Sequence, residues 1–278
     1  MTTPGSLAGK TMIMSGGSRG IGLAIGIAAG RLGANVVLLA KTDKPDPRLP
    51  GTIHTAAAEI EEAGGTALAV VGDVRDEDSV QNAVDRAVER FGGIDICVNN
   101  ASAIALVGTE DLPMKKFDLM QQIQLRGTFL LSRASLPHLR KSENPHILTL
   151  SPPIDLDPKW LGAYPAYTLA KYGMTLLALG WAAEYAEAGV ASNTLWPQTM
   201  IATAAVANLL GGDDVMSKSR SPEIVADAAM AIVTAPAREC TAHSFIDVDV
   251  LAEAGVTDLA KYGGGPDVLY DLYVNPPA

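Results

Sequence analysis

Short apolar runs alternate with helix-length segments along this chain, and the alternation restricts its fold more than any other feature. The runs combine β-branched and aliphatic residues and occupy residues 11–15, 35–41, 67–73, 94–100, 146–151, 190–196 and 244–250. Strands that alternate with helices are joined by crossovers, so they form a parallel sheet that is covered on both faces. The sequence therefore predicts a parallel sheet of about seven strands.

Helical periodicity fills the intervals between these strands, and long helices are predicted over residues 117–139 and 165–188. An apolar stripe follows the third run through Val80, Val84, Val88 and Phe91. No internal repeat or linker divides the chain, so we expect a single α/β domain over residues 1–278 with a doubly wound Rossmann fold. Its tail begins at about residue 249 and contains a glycine-rich loop at residues 263–265.

Composition and charge exclude several classes of protein. The chain is 48% hydrophobic, but no apolar run approaches the ~20 residues of a membrane span. Its net charge of −10 repels nucleic-acid phosphates. Cys97 and Cys240 lie far apart and the histidines lack metal-ligand spacing, so we expect neither a disulfide nor a metal site. We find no signal peptide, and we expect a cytoplasmic protein.

A glycine-rich turn follows the first predicted strand. Gly16, Gly20 and Gly22 lie where that strand meets a helix, and glycines there let backbone N–H groups approach a pyrophosphate. The spacing, G-x-x-x-G-x-G, differs from the G-x-G-x-x-G fingerprint, and glycines can also simply end a strand. The position of the turn in an alternating chain favours a dinucleotide site.

Two cations near this turn predict which dinucleotide it binds. Arg19 lies inside the turn, and Lys41 ends the second strand, where a carboxylate would instead bind a ribose 2′-hydroxyl. Cations attract a 2′-phosphate through charge-assisted hydrogen bonds, so NADP is favoured over NAD. The alternatives are that both cations are solvated surface residues, and that nearby Asp43 weakens their effect.

Tyr167 and Lys171 are four residues apart on a predicted helix, so they share one face of it. That helix begins near the carboxyl ends of the strands, where open α/β sheets bind ligands. A tyrosine with a pKa of about 10 transfers protons poorly at neutral pH, whereas an adjacent ammonium stabilises the phenolate. The pair alone is common, but with the glycine turn and the strand order it predicts an acid–base site.

The motifs and their order resemble the short-chain dehydrogenase/reductase family over most of the chain. These motifs are SGGSRGIG, GDV, VNNAS, YTLAK and NTLWP. More narrowly, LSPPIDLDPKW, AKTDKPDPRLPGTIHTAAAEIE and WPQTMIATAA are similar to the branch that contains hydroxysteroid dehydrogenase-like protein 2 and bacterial citronellal and citronellol dehydrogenases. The resemblance implies that a hydride is exchanged between a nicotinamide and a carbonyl or secondary alcohol.

The resemblance also implies roles for individual residues. Tyr167 would transfer the proton, Lys171 would also hold the nicotinamide ribose, and Ser151 is the third catalytic candidate. Asp73 and Val74 would contact the adenine. The residues implied to hold the cofactor are Gly16, Ser18, Arg19, Gly20, Ile21, Gly22, Lys41, Asp73, Val74, Asn100, Ala101, Ser102, Tyr167, Lys171, Pro197 and Ile201.

Three positions depart from the family pattern. Pro152 occupies the place of the family's substrate-orienting serine, so either Ser151 turns inward, or Asp155 substitutes, or the role is vacant. Gln124 stands where the family has a helix asparagine that supports a water relay to the lysine. Gln198 replaces the glycine that usually follows the proline after the sixth strand, and we expect it to change only the shape of the loop.

These features favour an NADP(H)-dependent oxidoreductase acting on a carbonyl or alcohol, and the apolar residues 200–212 indicate a hydrophobic substrate. The alternative is an NADP(H)-binding protein with little or no turnover, a sensor or assembly subunit, which Pro152 and Gln124 would favour. A third hypothesis, a lipid or terpenoid carrier, depends on the same apolar segment. The resemblance further implies a homodimer or homotetramer formed through the two long central helices.

Overall fold

The structure, a computed structural model, describes residues 6–46, 51–209 and 212–276. Within them, strands pair in parallel in the order β3-β2-β1-β4-β5-β6-β7. The strands are β1 Thr11–Ser15, β2 Asn35–Ala40, β3 Thr66–Val71, β4 Ile96–Asn99, β5 His146–Thr149, β6 Ala191–Trp196 and β7 Ser244–Ile246. The predicted seven-stranded parallel sheet is confirmed.

Helices cover both faces of the sheet. In chain order they are α1 Gly20–Arg31, α2 Ile53–Glu62, α3 Glu77–Phe91, α4 Met114–Met120, α5 Gly127–Leu139, α6 Pro158–Ala163, α7 Pro165–Glu184, α8 Ala204–Leu209, α9 Gly212–Ser217, α10 Glu223–Val233 and α11 Asp247–Glu253. A π-helical segment, Gln121–Arg126, joins α4 to α5, and a short 3-10 helix covers Ala260–Tyr262. Among the described residues, none of these helices combines the length and apolar character needed to span a bilayer.

The buried core lies on both sides of the sheet because successive side chains of a strand point to opposite faces. Met12 and Met14 of β1 pack with α1, α2 and α10, whereas Ile13 packs with α3 and α5. The strand order changes direction between β1 and β4, which are neighbours in the sheet but not in the chain. Open α/β sheets bind ligands at such a switch point, at the carboxyl ends of the strands.

Three predicted elements differ from the structure. The seventh run is a strand only as far as Ile246, and its second half forms α11, because Asp247 and Asp249 favour the positive first turn of a helix. The apolar segment of residues 200–212, which the sequence predicts as a loop, contains α8. The first long helix is interrupted by the π-helical segment.

Candidate active site

A cavity of about 550 Å³ opens at the carboxyl ends of the strands. Many of the predicted site residues line it: Arg19, Gly20, Ile21, Gly22, Asn100, Ser102, Tyr167, Lys171, Pro197 and Ile201. The remaining predicted residues are not among those that line this cavity: Gly16, Ser18, Lys41, Asp73, Val74, Ala101 and Ser151. The structure therefore brings the glycine turn and the acid–base pair together, although they lie far apart in the sequence.

The glycine turn is held against the segment that follows β4. The Asn100 side-chain amide donates hydrogen bonds to the carbonyls of Ser15 (3.1 Å) and Gly16 (2.8 Å). Gly16 has a φ of +76°, and a Cβ at Gly22 would lie 2.5 Å from the Asn100 amide nitrogen. These two glycines are required by the backbone conformation and by the close approach of Asn100, in addition to any contact with a ligand.

The predicted adenine end of the site contains an ion-pair network. Asp73 accepts a bidentate hydrogen bond from Arg75 (2.6 Å to the nearer nitrogen) and pairs with Lys41 at 3.4 Å. The Arg75 hydrogen bonds lower the pKa of Asp73 to about 2. Sequence reasoning missed Arg75, whose position two residues after a loop aspartate carries no signal of its own. Lys41 is thus anchored beside Asp73, with 55% of its side chain exposed.

The other charges near the turn also have partners. Arg19 donates to the carbonyl of Gly51 at 3.1 Å, while its Nε atom is buried without a partner in the described part of the chain. Asp43, which in one alternative weakens the effect of these cations, forms a 2.7 Å hydrogen bond with the Nε2 atom of His54. The Asp43 carboxylate is therefore engaged by His54.

Tyr167 and Lys171 project from the first turns of α7 into the cavity. The Lys171 ammonium donates to the Leu150 carbonyl at 2.8 Å and lies 5.1 Å from the centre of the Trp196 ring. Burial lowers the pKa of Lys171 to about 8. Burial also raises the pKa of Tyr167 well above its ordinary value, and the nearby Asp271 raises it further. This differs from the expected lowering by the ammonium, because the cost of burying a phenolate is the larger effect.

The two candidates for the missing serine do not reach the cavity. Ser151 is fully buried, and its hydroxyl accepts a hydrogen bond from Thr175 at 2.9 Å. Asp155 accepts from the backbone N–H of Asp157 at 2.9 Å, in the turn that leads into α6. Neither Ser151 nor Asp155 is among the residues that line the cavity.

Gln124 lies within the π-helical segment that packs against α7. It is fully buried, and neither its amide nitrogen nor its amide oxygen has a partner among the described residues. Buried polar atoms of this kind are usually satisfied by an ordered water. The position is thus suited to the water-supporting role that the family resemblance implies.

The C-terminal segment supplies site residues that sequence reasoning missed. Asp271 and Leu272 line the cavity, and Tyr273 is buried against the ring of Tyr167, with 6.5 Å between ring centres. The Tyr273 hydroxyl forms a 3.0 Å hydrogen bond with Thr168 on α7. The concentration of aromatic and apolar residues in an otherwise polar tail was the one available signal.

No cluster of three or more histidine, cysteine or carboxylate side chains that could hold a metal ion occurs in residues 6–46, 51–209 and 212–276. Cys97 and Cys240 are both buried free thiols, as expected. Burial raises the pKa of the Cys97 thiol to about 12 and that of Cys240 to about 11. Neither thiol is therefore a reactive thiolate near neutral pH.

Comparison with known proteins agrees with this geometry. The family model described as short chain dehydrogenase matches residues 10–212. Hydroxysteroid dehydrogenase-like protein 2 from Danio rerio is 55% identical over 262 residues, which make up 94% of this chain and 62% of that relative. The chain thus spans less than two thirds of the length of that relative. The predicted resemblance to this family and branch is confirmed.

Solved structures share the fold. A short chain dehydrogenase from Mycobacterium thermoresistibile has a TM-score of 0.93 and 58% identity, over 98% of this chain and 97% of that chain. A protein described as an NAD(P)-dependent gluconate 5-dehydrogenase from Beutenbergia cavernae, solved with bound NADP, has a TM-score of 0.75 and 26% identity, over 88% of this chain and 97% of that one. Sequence, fold and site agree, and the chain belongs to the short-chain dehydrogenase family of oxidoreductases.

Proposed function

We propose that this protein is an NADP(H)-dependent oxidoreductase that interconverts a carbonyl and an alcohol on a hydrophobic substrate. The observation that carries the proposal is that one cavity contains both the Tyr167–Lys171 pair and the glycine turn. The turn fits a dinucleotide, since it lies at the N-terminus of α1 and the Arg19 Nε atom is buried without a described partner. When bound, the nicotinamide supplies or accepts the hydride.

The chain's own residues supply the proton chemistry. The Tyr167 phenol donates its proton to a carbonyl oxygen during reduction and accepts one from an alcohol during oxidation. The Lys171 ammonium, which donates to the Leu150 carbonyl, would stabilise the phenolate and hold the nicotinamide ribose. The aromatic rings of Trp196 and Tyr273 exclude water from this pair.

Three cations support NADP over NAD. Lys41 and Arg75 flank Asp73, and Arg19 lies in the glycine turn. Cations at this end of the site attract a 2′-phosphate. The Beutenbergia cavernae protein, which is described as NAD(P)-dependent and was solved with NADP at low occupancy, has the same fold.

The cavity wall supports a hydrophobic substrate. Beyond the acid–base pair, its side chains are mostly aliphatic or aromatic: Ile104, Leu106, Leu150, Trp196, Met200, Val206 and Leu272. Burial of an apolar substrate surface there contributes about 25 cal/mol per Å². Polar side chains other than the reacting pair are few, so an apolar alcohol or aldehyde suits the wall better than a sugar.

We also infer that the protein forms a homodimer or homotetramer through its two long central helices. Both helices carry large apolar side chains that are exposed: Phe129 (44%), Leu169 (54%) and Leu176 (61%). Phe129 lies on α5, and the other two lie on α7. Exposed apolar side chains grouped on neighbouring helices are typical of a subunit interface.

A panel of aliphatic and terpenoid alcohols and aldehydes, followed by NADPH absorbance, tests the proposal. We expect Tyr167→Phe to lower turnover at least about 100-fold, because it removes the proton-transferring hydroxyl and keeps the ring. NADPH binding, measured by fluorescence, should change little in this variant. A wild-type protein that binds NADPH but turns over no panel member would instead indicate the binding protein without turnover, and an active Tyr167→Phe variant would reject the assignment.

A further inference from the structure

The C-terminal segment places Asp271 in the cavity wall. The Asp271 N–H donates to the Gln198 carbonyl at 3.0 Å, immediately beyond β6. The indole N–H of Trp196 donates to the carbonyl of the next residue, Leu272, at 2.8 Å. These bonds fix the backbone position of Asp271, and its carboxylate accepts a hydrogen bond from the backbone N–H of Leu272 at 2.6 Å.

Asp271 interacts electrostatically with the acid–base pair. Its charge raises the pKa of both Tyr167 and Lys171. Burial, followed by the charge of Asp247 on α11, raises the pKa of Asp271 to about 7, and Lys171 opposes this rise. The other ionisable group facing it is Tyr273, in its own segment. Its pKa thus lies well above that of an exposed aspartate, which favours the carboxylic acid form of Asp271 in this site.

The family pattern implies a serine hydroxyl next to Tyr167 that orients the substrate oxygen. Pro152 occupies its place, and the neighbouring Ser151 hydroxyl is buried against Thr175. Three of the other polar side chains in the cavity wall flank the glycine turn or its supporting loop: Arg19, Asn100 and Thr203. Ser102, the next lining residue after Asn100, is exposed to solvent. Among the described polar side chains of the wall, Asp271 is the one whose charge acts on both Tyr167 and Lys171.

We propose that Asp271 is a further catalytic residue, which holds the substrate oxygen together with Tyr167 in place of the hydroxyl absent at Pro152. As a carboxylic acid it donates a hydrogen bond to the substrate oxygen in both directions of the reaction, which leaves the single alcohol proton to Tyr167. The transferred proton is that of Tyr167: its O–H bond breaks as the substrate O–H bond forms, while the substrate carbon gains the hydride. Asp271 keeps its own protonation state in this step.

This inference depends on the proposed function and predicts a particular pH dependence. As the pH rises through neutrality, Asp271 loses the proton that it donates to a carbonyl, so kcat/KM for reduction should fall. Oxidation should fall over the same pH range, because the carboxylate no longer donates a hydrogen bond to the substrate oxygen while Tyr167 accepts the alcohol proton. In Asp271→Asn the amide does not titrate, so the fall in kcat/KM near neutral pH should disappear from both profiles. The amide N–H still donates a hydrogen bond to the substrate oxygen. Asp271→Ala should lower kcat/KM about 10- to 100-fold, mainly through kcat.

The experiment compares wild type, Asp271→Ala and Asp271→Asn with the most active member of the alcohol and aldehyde panel. Asp267→Asn is the matched control, because it removes an exposed charge from the same segment. NADPH affinity and melting temperature are measured on every variant, and both should stay near the wild-type values. Loss of activity with equal losses of melting temperature in both Asp271 variants would assign a structural role and overturn the proposal.

The remaining outcomes separate this proposal from the proposed function. If Tyr167→Phe is inactive while Asp271→Ala matches wild type and Asp267→Asn in rate and pH profile, the role of Asp271 is rejected and the oxidoreductase function stands. If the wild type turns over no panel member, or if Tyr167→Phe remains active, the proposed function fails and the Asp271 proposal fails with it. Loss of the neutral-pH limb in Asp271→Asn, with cofactor binding intact, supports the proposal.

Discussion

Asp73 pairs with Lys41, the cation that we propose to bind the 2′-phosphate of NADP. The carboxylate pairs with both Lys41 and Arg75, and its pKa of about 2 keeps it charged throughout the physiological range. Lys41 is consequently held near the predicted adenine end instead of moving freely in solvent. Its exposed ammonium keeps donors free for a 2′-phosphate.

We therefore expect Lys41→Asp to weaken NADPH binding about 10- to 100-fold, because a charge-assisted contact is replaced by a like charge beside Asp73. NADH binding should stay the same or become tighter, since NADH lacks the 2′-phosphate and a carboxylate at this position binds a ribose 2′-hydroxyl. Titration of both cofactors by fluorescence measures the two affinities. Lys141→Asp, an exposed substitution after α5, is the control for net charge. Equal affinities of the wild type for NADPH and NADH would contradict the preference.

At the scale of elements, the catalytic helix α7 is closely approached by the π-helical segment. A Cβ on Gly173 would lie 2.3 Å from a methyl carbon of Leu125 in that segment. Gln121 of the same segment donates to the Ala166 carbonyl at 3.1 Å, at the start of α7. The glycine allows the two backbones to approach each other, and this contact positions the first turns that carry Tyr167 and Lys171.

Two glycines on α7 give a matched test. Gly173→Ala should destabilise the protein by about 1–3 kcal/mol through overpacking, and it should lower turnover by displacing the helix. A Cβ on Gly180 would meet no atom within 4 Å, and Gly180 lies on an exposed face of α7. Gly180→Ala should therefore stabilise the protein by about 0.5–1 kcal/mol. Thermal or denaturant unfolding measures both changes. Similar stabilisation by the two substitutions would show that Leu125 does not require the glycine.

At the scale of the whole molecule, the exposed apolar residues of α5 and α7 predict self-association. Leu176→Glu should convert the dimer or tetramer to a smaller species, because a charge cannot be buried cheaply in an apolar interface. Size-exclusion chromatography with light scattering measures the mass. Leu156→Glu is the control, since Leu156 is 70% exposed but lies outside both helices. A wild-type protein that elutes as a monomer would reject the interface.

The sequence by itself determined the features that depend on neighbouring residues. Alternating apolar runs indicated the parallel sheet, and the glycine turn and the Tyr167–Lys171 spacing indicated a dinucleotide and acid–base site. These signals are local, because strand period, helix period and turn conformation are set within a few residues. The same local rules misplaced the end of β7, where Asp247 and Asp249 alternate with valines yet begin a helix.

Only the tertiary structure decided which side chains share the cavity. Ser151 looked available in the sequence, but Thr175 on α7 donates a hydrogen bond to its buried hydroxyl. The tail had no chemical motif, yet it folds back so that Tyr273 meets Thr168, 105 residues earlier in the chain. Asp271 enters the wall with it. Such contacts depend on how distant elements pack, and no period or spacing within a short window contains that information.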